Sequence, residues 1–415
     1  MRTFLSLEEA WAEMLASVRP LGAEEVPLIE AYGRVLAAEI RTRAPIPPFD
    51  RSALDGYAVR SADLIGAAPN SPVTLEVLEE VGAGRVPQTV VGKGQAVRIM
   101  TGAPIPVGAD SILRVEAAKR DEDNPHRVHA MMEVPRGEAI SLQGEDAPQG
   151  AVLLEAGQTV GAAETAVLAA NGEAMVAVYR RPRVGILVSG EEVRPLTGEL
   201  KPGQIRDSNG PMVAARVRDY GGQAVLYGQV GDDVQAIANL VKKAASECDL
   251  VLTTGGVSVG DHDCMREAYQ LAGGTVHFWK VSIRPGTPVT YAGIGTTPVV
   301  GLSGNPAAAF VNVVLLVKPL LRKLCGDPHP EHQPVRAVLD SDYDARTIGL
   351  DRFLRTQLTV RDGQLVASVP GKGQKAAILT SLVGVHGLVR IPAREEVRHG
   401  MSVDVYPLRD GAFRA

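Results

Sequence analysis

The stretch Val184-Gly185-Ile186-Leu187-Val188-Ser189-Gly190-Glu191-Glu192 decides the fold. An apolar run of strand length stops abruptly at a serine, a glycine and two acids, which is how a strand buried on both faces ends in a loop. Similar runs follow at residues 224–230, 250–253 and 299–302, and helical spacing fills the intervals at 211–220, 234–246, 265–271 and 307–321. Strands alternating with helices predict a doubly wound α/β sheet covered on both faces. Ligands of such sheets bind beyond the carboxyl ends of the strands. The loops after Val188, Val230, Thr253 and Leu302 are therefore where chemistry is expected.

Toward the N-terminus, Ser6 and Glu9 have the spacing of a capping box, and Leu7, Trp11, Met14, Leu15 and Val18 recur at helical intervals. A second helix is predicted over residues 28–40, before Pro45, Pro47 and Pro48 break the pattern. Short strands at 74–81, 95–100, 111–115 and 127–134, set between Gly/Pro turns, predict a β-rich domain, and helical spacing returns at 162–170. Beyond Asp327-Pro328, the runs 353–360 and 364–369 flank Asp362-Gly363, a hairpin signal, with further strands at 387–391 and 402–406. These predict a small C-terminal β-barrel or sandwich. The expected architecture is multidomain α/β: a helical/mixed N-terminal domain (1–45 with 142–180), a β-rich inserted domain (46–141), the α/β domain (181–326) and a C-terminal β-barrel domain (327–415).

The 415 residues carry 43 Lys and Arg against 48 Asp and Glu, a net charge of -5, which speaks against a bulk nucleic-acid binder. Aromatic content of 4% speaks against a base-stacking platform. The isolated cysteines Cys248, Cys264 and Cys325 form no CxxC and fit a reducing compartment. The N-terminus lacks the apolar core of a signal peptide, and the greasiest stretch, 307–321, is interrupted by Asn312 and Lys318 and too short to span a bilayer. A soluble, cytoplasmic protein is expected, with neither nucleic acid nor membrane as partner.

Each strand-end loop has two readings. Glu191 and Glu192 can hold Mg²⁺ or serve as acid and base, or form a solvated turn. Asp232 and Asp233 can face a ligand or cap the next helix. In Thr254-Gly255-Gly256-Val257-Ser258-Val259-Gly260-Asp261-His262-Asp263 the glycines admit an anion to backbone amides, and the acids can ligate metal or cap. Ser303-Gly304-Asn305-Pro306 starts a helix well, with Asn305 at N-cap and Pro306 at N1, and the same geometry makes an oxyanion site. Such loops at one sheet edge point to an anionic, phosphorylated ligand with a divalent cation. There is no P-loop, no GxGxxG after a strand and no GxSxG.

Taken in order, PFDRSALDGYAVR, RIMTGAPIPVGAD, GILVSGEEV, IRDSNGPM, TTGGVSVGDHD, RPGTP and GLSGNPAAAF resemble the molybdopterin molybdenumtransferases (MoeA in bacteria, the gephyrin E domain in animals) over nearly the whole length. The resemblance implies a four-part subunit that forms a homodimer. It implies insertion of molybdate into adenylylated molybdopterin, with Mg²⁺-dependent release of AMP and the molybdenum cofactor, and makes the α/β unit the molybdopterin-binding domain. It carries catalytic roles onto Asp55, Thr101, Glu192, Asp232 and Asp263, with Glu192, Asp232 and Asp263 toward the metal. Substrate and oxyanion contacts fall on Ser258, Arg284, Pro285, Gly286, Pro288, Ser303, Gly304, Asn305, Arg352 and Ser381. It places the site between the α/β domain of one subunit and the β-rich domain of the other. Beyond a second copy, the partners it suggests are a molybdopterin adenylyltransferase and the proteins that mature molybdoenzymes.

The sequence departs from the family at Arg51 (often Asn), Arg206 (often Tyr), Thr287 (often Lys), Ser303 (often Pro) and Ala376 (often Ser), and it has Ser189-Gly190-Glu191-Glu192 for the usual Thr-Gly-Asp-Glu. Losing a Lys at 287 removes a positive charge that Arg284 and Arg352 can replace. Tungstate stays open beside molybdate. The adenylyltransferase of the same pathway shares only the α/β unit, and segments 46–141 and 330–415 speak against it. A scaffold or delivery module that binds the pterin without turnover is the rival of another class; the retained acids favour an enzyme.

Overall fold

The computed structural model describes residues 2–256, 264–344, 349–370 and 373–409. The chain separates into two compact units. One comprises Met1–Ala38, Gly157–Thr165 and Met175–Ala415, and the other Glu39–Ala156 and Ala166–Ala174.

The first unit is built on a seven-stranded sheet. Its order is Arg2–Leu5, Thr275–Val281, Thr290–Ile294, Thr297–Leu302, Leu250–Thr254, Arg183–Ser189 and Gln223–Val230. The last four are mutually parallel, and the register sets Ser189 beside Val230, Val188 beside Thr254, and Thr254 beside Leu302. The strands read from the sequence as apolar runs therefore end at one edge. Pleating sends Ile186, Leu252 and Val300 into one core with helices Asn209–Asp219 and Pro306–Asn312. Their neighbours Leu187, Val251 and Val299 enter a second core under Val234–Glu247 and Cys264–Leu271. This is the two-faced burial expected of a doubly wound sheet.

The strands absent from the sequence reading extend the sheet on its other side. Thr290–Ile294 runs antiparallel to Thr297–Leu302, with Thr290 opposite Gly301. That reversal carries the segment preceding Thr290 to the carboxyl edge of the parallel strands. Helix Leu7–Ala16 has the expected capping box: Glu9 N–H donates to Ser6 Oγ and Ser6 N–H to the Glu9 carboxylate. The second predicted helix is wrong. Only Leu28–Glu30 makes a single 3₁₀ turn; Gly33 then takes φ +72°, and Val35 and Leu36 form β-bridges to Thr159 and Val178. A left-handed residue in mid-segment ends any helix there, and backbone pairing takes its place.

In the C-terminal part, strands Asp351–Arg361, Gln364–Ser368, Val335–Leu339, Ser402–Pro407 and Gly387–Ile391 pair in sequence, and the last returns to the first. This closes a five-stranded barrel around Leu339, Leu354, Val389 and Val405. Asp362 and Gly363 make the hairpin turn, both at positive φ. The second unit is mostly a six-stranded sheet in the order Ser111–Arg114, Gly56–Val59, Gln95–Ile99, Val73–Val81, Arg127–Ala130, Ala118–Arg120. No helix among the described residues is long and apolar enough to cross a membrane.

Candidate active site

A cleft of about 700 Å³ opens along the carboxyl edge of the parallel strands. Glu192 and Asp232 line it from the loops after the two neighbouring strands Arg183–Ser189 and Gln223–Val230. The backbone holds Glu192 in place: Ile205 N–H donates to its carbonyl at 2.9 Å, and Val193–Arg194 pairs with Ile205–Arg206. Arg206 braces this loop by donating to the carbonyls of Pro195, Thr197 and Gly198. The two aspartates of the next loop separate by role. Asp233 caps helix Val234–Glu247, accepting from Ala236 N–H at 2.6 Å, while its neighbour Asp232 lines the cleft.

The floor is made by the third and fourth loops. Gly255 has φ +93°, and a Cβ there would overlap the Ser189 carbonyl oxygen, so only glycine lets the chain turn against the neighbouring strand end. Thr254 Oγ1 donates to Ser303 O at 3.0 Å. Asn209 Nδ2 donates to Thr254 Oγ1 and to Gly304 O, each at 2.8 Å. Asn209 is buried, and its Oδ1 has no partner among the described residues. Asp207 also lines the cleft, and its Oδ1 accepts Gly210 N–H. Neither was singled out in the sequence as a site residue; the signal was the IRDSNGPM motif, read only as a mark of resemblance.

The turn Ser303-Gly304-Asn305-Pro306 lines the cleft together with Pro288. Asn305 sits at the N-cap, but its side chain makes no capping bond, contrary to the capping reading. The amides of this turn are largely committed: Asn305 N–H to Ser303 Oγ, Ser303 N–H to Asn312 Oδ1 and Ala307 N–H to Ala376 O. Gly304 N–H has no partner among the described residues.

Arg284, Pro285 and Gly286 precede Pro288 in the chain and are not among the residues lining the cleft. The barrel strand Asp351–Arg361 runs parallel to Ile283–Arg284, and Arg284 and Arg352 are paired positions. Arg355 follows on the same strand, fully buried, donating to the carbonyls of Gly373 and Lys375. Burial, and secondarily Arg352, pulls its guanidinium below the usual arginine value. Nε of Arg352 and both Nε and Nη1 of Arg355 have no hydrogen-bond partner among the described residues. Like charges side by side are unfavourable without a counter-charge. Arg355 is a site candidate that sequence reading missed. Ser381 lies on the segment bearing Ala377, which lines the cleft, but its hydroxyl donates to Ile378 O at 2.5 Å.

Asp55 and Thr101 belong to the other unit, where neighbouring strands bring them together: Gly56 pairs with Ile99, and Thr101 donates from its amide and hydroxyl to Asp55 Oδ1. Ser258 and Asp263 lie outside the described residues. No group of three or more His, Cys, Asp or Glu side chains that could hold a metal ion occurs among the described residues.

The comparisons with known proteins agree along the whole chain. Residues 5–172 match the MoeA N-terminal region (domain I and II), 185–323 a probable molybdopterin binding domain, and 336–408 the MoeA C-terminal region (domain IV). The molybdopterin molybdenumtransferase of Bacillus subtilis is 36% identical over 411 residues, covering 99% of this chain and 95% of the relative. The chain belongs to the molybdopterin molybdenumtransferase family. A relative of the same name from Staphylococcus epidermidis is 34% identical over 413 residues, covering 99% of this chain and 97% of its own. The solved molybdopterin biosynthesis MoeA protein of Pyrococcus horikoshii OT3 superposes with a TM-score of 0.83 at 33% identity, over 97% of this chain and 100% of that one. The family's fold is thus the fold described above, and the cleft lining falls in the segment matching the molybdopterin binding domain except for Ala377, which falls in the C-terminal match.

Proposed function

We propose that this chain inserts molybdate into adenylylated molybdopterin, with Mg²⁺-dependent release of AMP, and works as a cytoplasmic homodimer. The observation that carries the reading is the convergence of Glu192 and Asp232, from successive strand-end loops, on a cleft that also holds the Gly304 amide. Relatives named molybdopterin molybdenumtransferase over the full length support it.

The residues fit a magnesium ion, whose hard oxygen ligands are commonly one or two carboxylates with several waters. Glu192 and Asp232 would hold it. Bound there, the cation would neutralise charge that builds on a pyrophosphate as its phosphoanhydride is cleaved. Gly304 N–H, from the turn that lines the cleft, donates to an oxyanion, and Arg284 and Arg352, paired on neighbouring strands, supply positive charge. Asn209, tied to Thr254 and Gly304, holds the floor in shape. Apolar side chains of Val188, Val193 and Pro306 in its lining lower the local dielectric and strengthen each of these contacts.

The test is single-turnover AMP release from adenylylated molybdopterin, with and without molybdate. Molybdate-dependent AMP release is expected. Tight pterin binding without AMP release would make the chain a scaffold or delivery module instead. An active monomer in sedimentation at assay concentration would remove the dimer.

A further inference from the structure

From residue 307 to 321 the chain is buried throughout, and apolar except at Asn312 and Lys318. Asn312 is wholly inaccessible to solvent. A buried carboxamide in an apolar helix costs stability unless both its ends are bonded, so its partners matter. Nδ2 donates to Gly286 O at 2.8 Å, and Oδ1 accepts Ser303 N–H at a longer 3.4 Å. These partners come from two segments far apart in sequence: the loop leading to Pro288, and the turn carrying Ser303, Gly304 and Asn305. Both reach the cleft.

The fit at Gly286 is close. It has φ +101°, and a Cβ there would overlap Asn312 Nδ2. The loop backbone thus lies directly against the carboxamide, with no side chain between them. Ser303 is fixed a second time, its Oγ accepting Asn305 N–H at 3.3 Å. Apolar packing alone can hold a loop near a helix, but it leaves sliding and rotation cheap. Hydrogen bonds from one side chain to two backbones fix both direction and distance.

We infer that Asn312 is a positioning residue for the oxyanion end of the cleft: its carboxamide clamps the Gly286 loop to the Ser303 turn and so fixes Pro288 relative to the Gly304 amide. This rests on the reading of the cleft proposed above for its consequence in catalysis, but not for the clamp itself. Asn312 touches no substrate. It acts through the loops it ties.

The test uses the full-length protein with Asn312→Leu, which has the same branching but is larger and makes neither hydrogen bond, and Asn312→Ala should the leucine variant not fold. Leu320→Ala, fully buried further along the same helical run, controls for lost stability. Amide exchange at residues 286–288 and 303–305 should rise at least tenfold in the Asn312 variants and stay unchanged in Leu320→Ala. The KM for molybdate should rise about tenfold or more, with kcat changed far less, and again only in the Asn312 variants. Asn312→Asp, which keeps the acceptor for Ser303 N–H, should recover protection at 303–305 but not at 286–288. Unchanged exchange in the Asn312 variants overturns the clamp whatever the substrate proves to be. Raised exchange in a protein without molybdate-dependent turnover leaves the clamp standing and overturns only the proposed reaction.

Discussion

Thr101 gives both its amide and its hydroxyl to a single oxygen of Asp55, at 2.8 and 2.7 Å. The two residues come from motifs separated by more than forty positions, and the antiparallel pairing of Gly56 with Ile99 is what joins them. Two donors on one oxygen favour the charged carboxylate, so the hydroxyl of Thr101 first, and its amide second, hold Asp55 below the usual carboxylate value. A lowered folded-state value means that the stabilisation is complete above the unfolded carboxylate value, near 3.9, and is lost as pH falls through the folded one. Both residues are exposed, so the effect belongs to local order, not global stability. An NMR titration should find the Asp55 midpoint below that of an unstructured peptide, and Thr101→Val should move it upward. A midpoint that Thr101→Val leaves in place would show that the hydroxyl bond does not form in solution.

Adjacent aspartates on one loop have opposite assignments. Asp233 accepts Ala236 N–H as a helix cap, and Asp232 faces the cleft. Asp233→Ala should therefore cost about 1 kcal/mol of stability and leave turnover within a few-fold of the parent. Asp232→Asn should leave the melting temperature alone and cut AMP release by roughly 10²-fold, the scale of a lost charge contact in a transition state. Glu192→Gln should behave as Asp232→Asn does. Measuring melting and single-turnover rate on all three proteins decides it, and an Asp232→Asn enzyme with full activity would make this loop a solvated turn.

Where the chain is buried on two faces the sequence is readable, because continuous apolar runs have few other fates; the parallel strands and the loops that end them were legible for that reason. The strand Arg2–Leu5 was not, since it exists only by pairing with Phe278–Val281 across most of the chain and has no period of its own. The same holds for Thr290–Ile294, although its reversal is what delivers Pro288 to the cleft. The helix predicted over residues 28–40 failed because local spacing cannot see that Val35 and Leu36 find strand partners. In the site, loop positions were visible but side-chain roles were not. Asp232 and Asp233 have the same chemistry one residue apart, and only backbone direction separates them. Asn312 looked like an interruption of an apolar stretch; its meaning lies in the backbones it meets.

The thiols report on the cleft independently of turnover. Cys264 lines it, whereas burial pushes the Cys325 thiol up to about 11. At pH 8 only about one Cys325 in a thousand is thiolate, the reactive form. Iodoacetamide should therefore label Cys264 well before Cys325, as followed by mass spectrometry of the peptides. A saturating cleft ligand should slow Cys264 alone. Equal labelling of the two, or protection of Cys325 by the ligand, would contradict this placement of the cleft.

The run after Asn312 was read as one helix, and it contains a π-helical turn, Val313–Val317. A π turn displaces carbonyls from the regular ladder, and the displaced groups need other donors. Two side chains provide them: Trp11 Nε1–H donates to Leu315 O at 2.6 Å, and His332 Nε2–H to Val314 O at 2.7 Å. The rings of Trp11 and His332 also pack together, 5.5 Å apart. Trp11→Phe keeps much of the aromatic packing and removes one donor, leaving a buried carbonyl short of its bond. The expected cost is about 1–3 kcal/mol, seen as a lower urea midpoint. Because the π turn lies beyond Asn312 and neither Trp11 nor Leu315 bonds to the clamped loops, the KM for molybdate should stay within twofold. A Trp11→Phe protein with unchanged stability would mean that water, or a neighbouring amide, already satisfies Leu315. One with a raised KM would mean that the turn, and not Asn312 alone, sets the geometry of the loops.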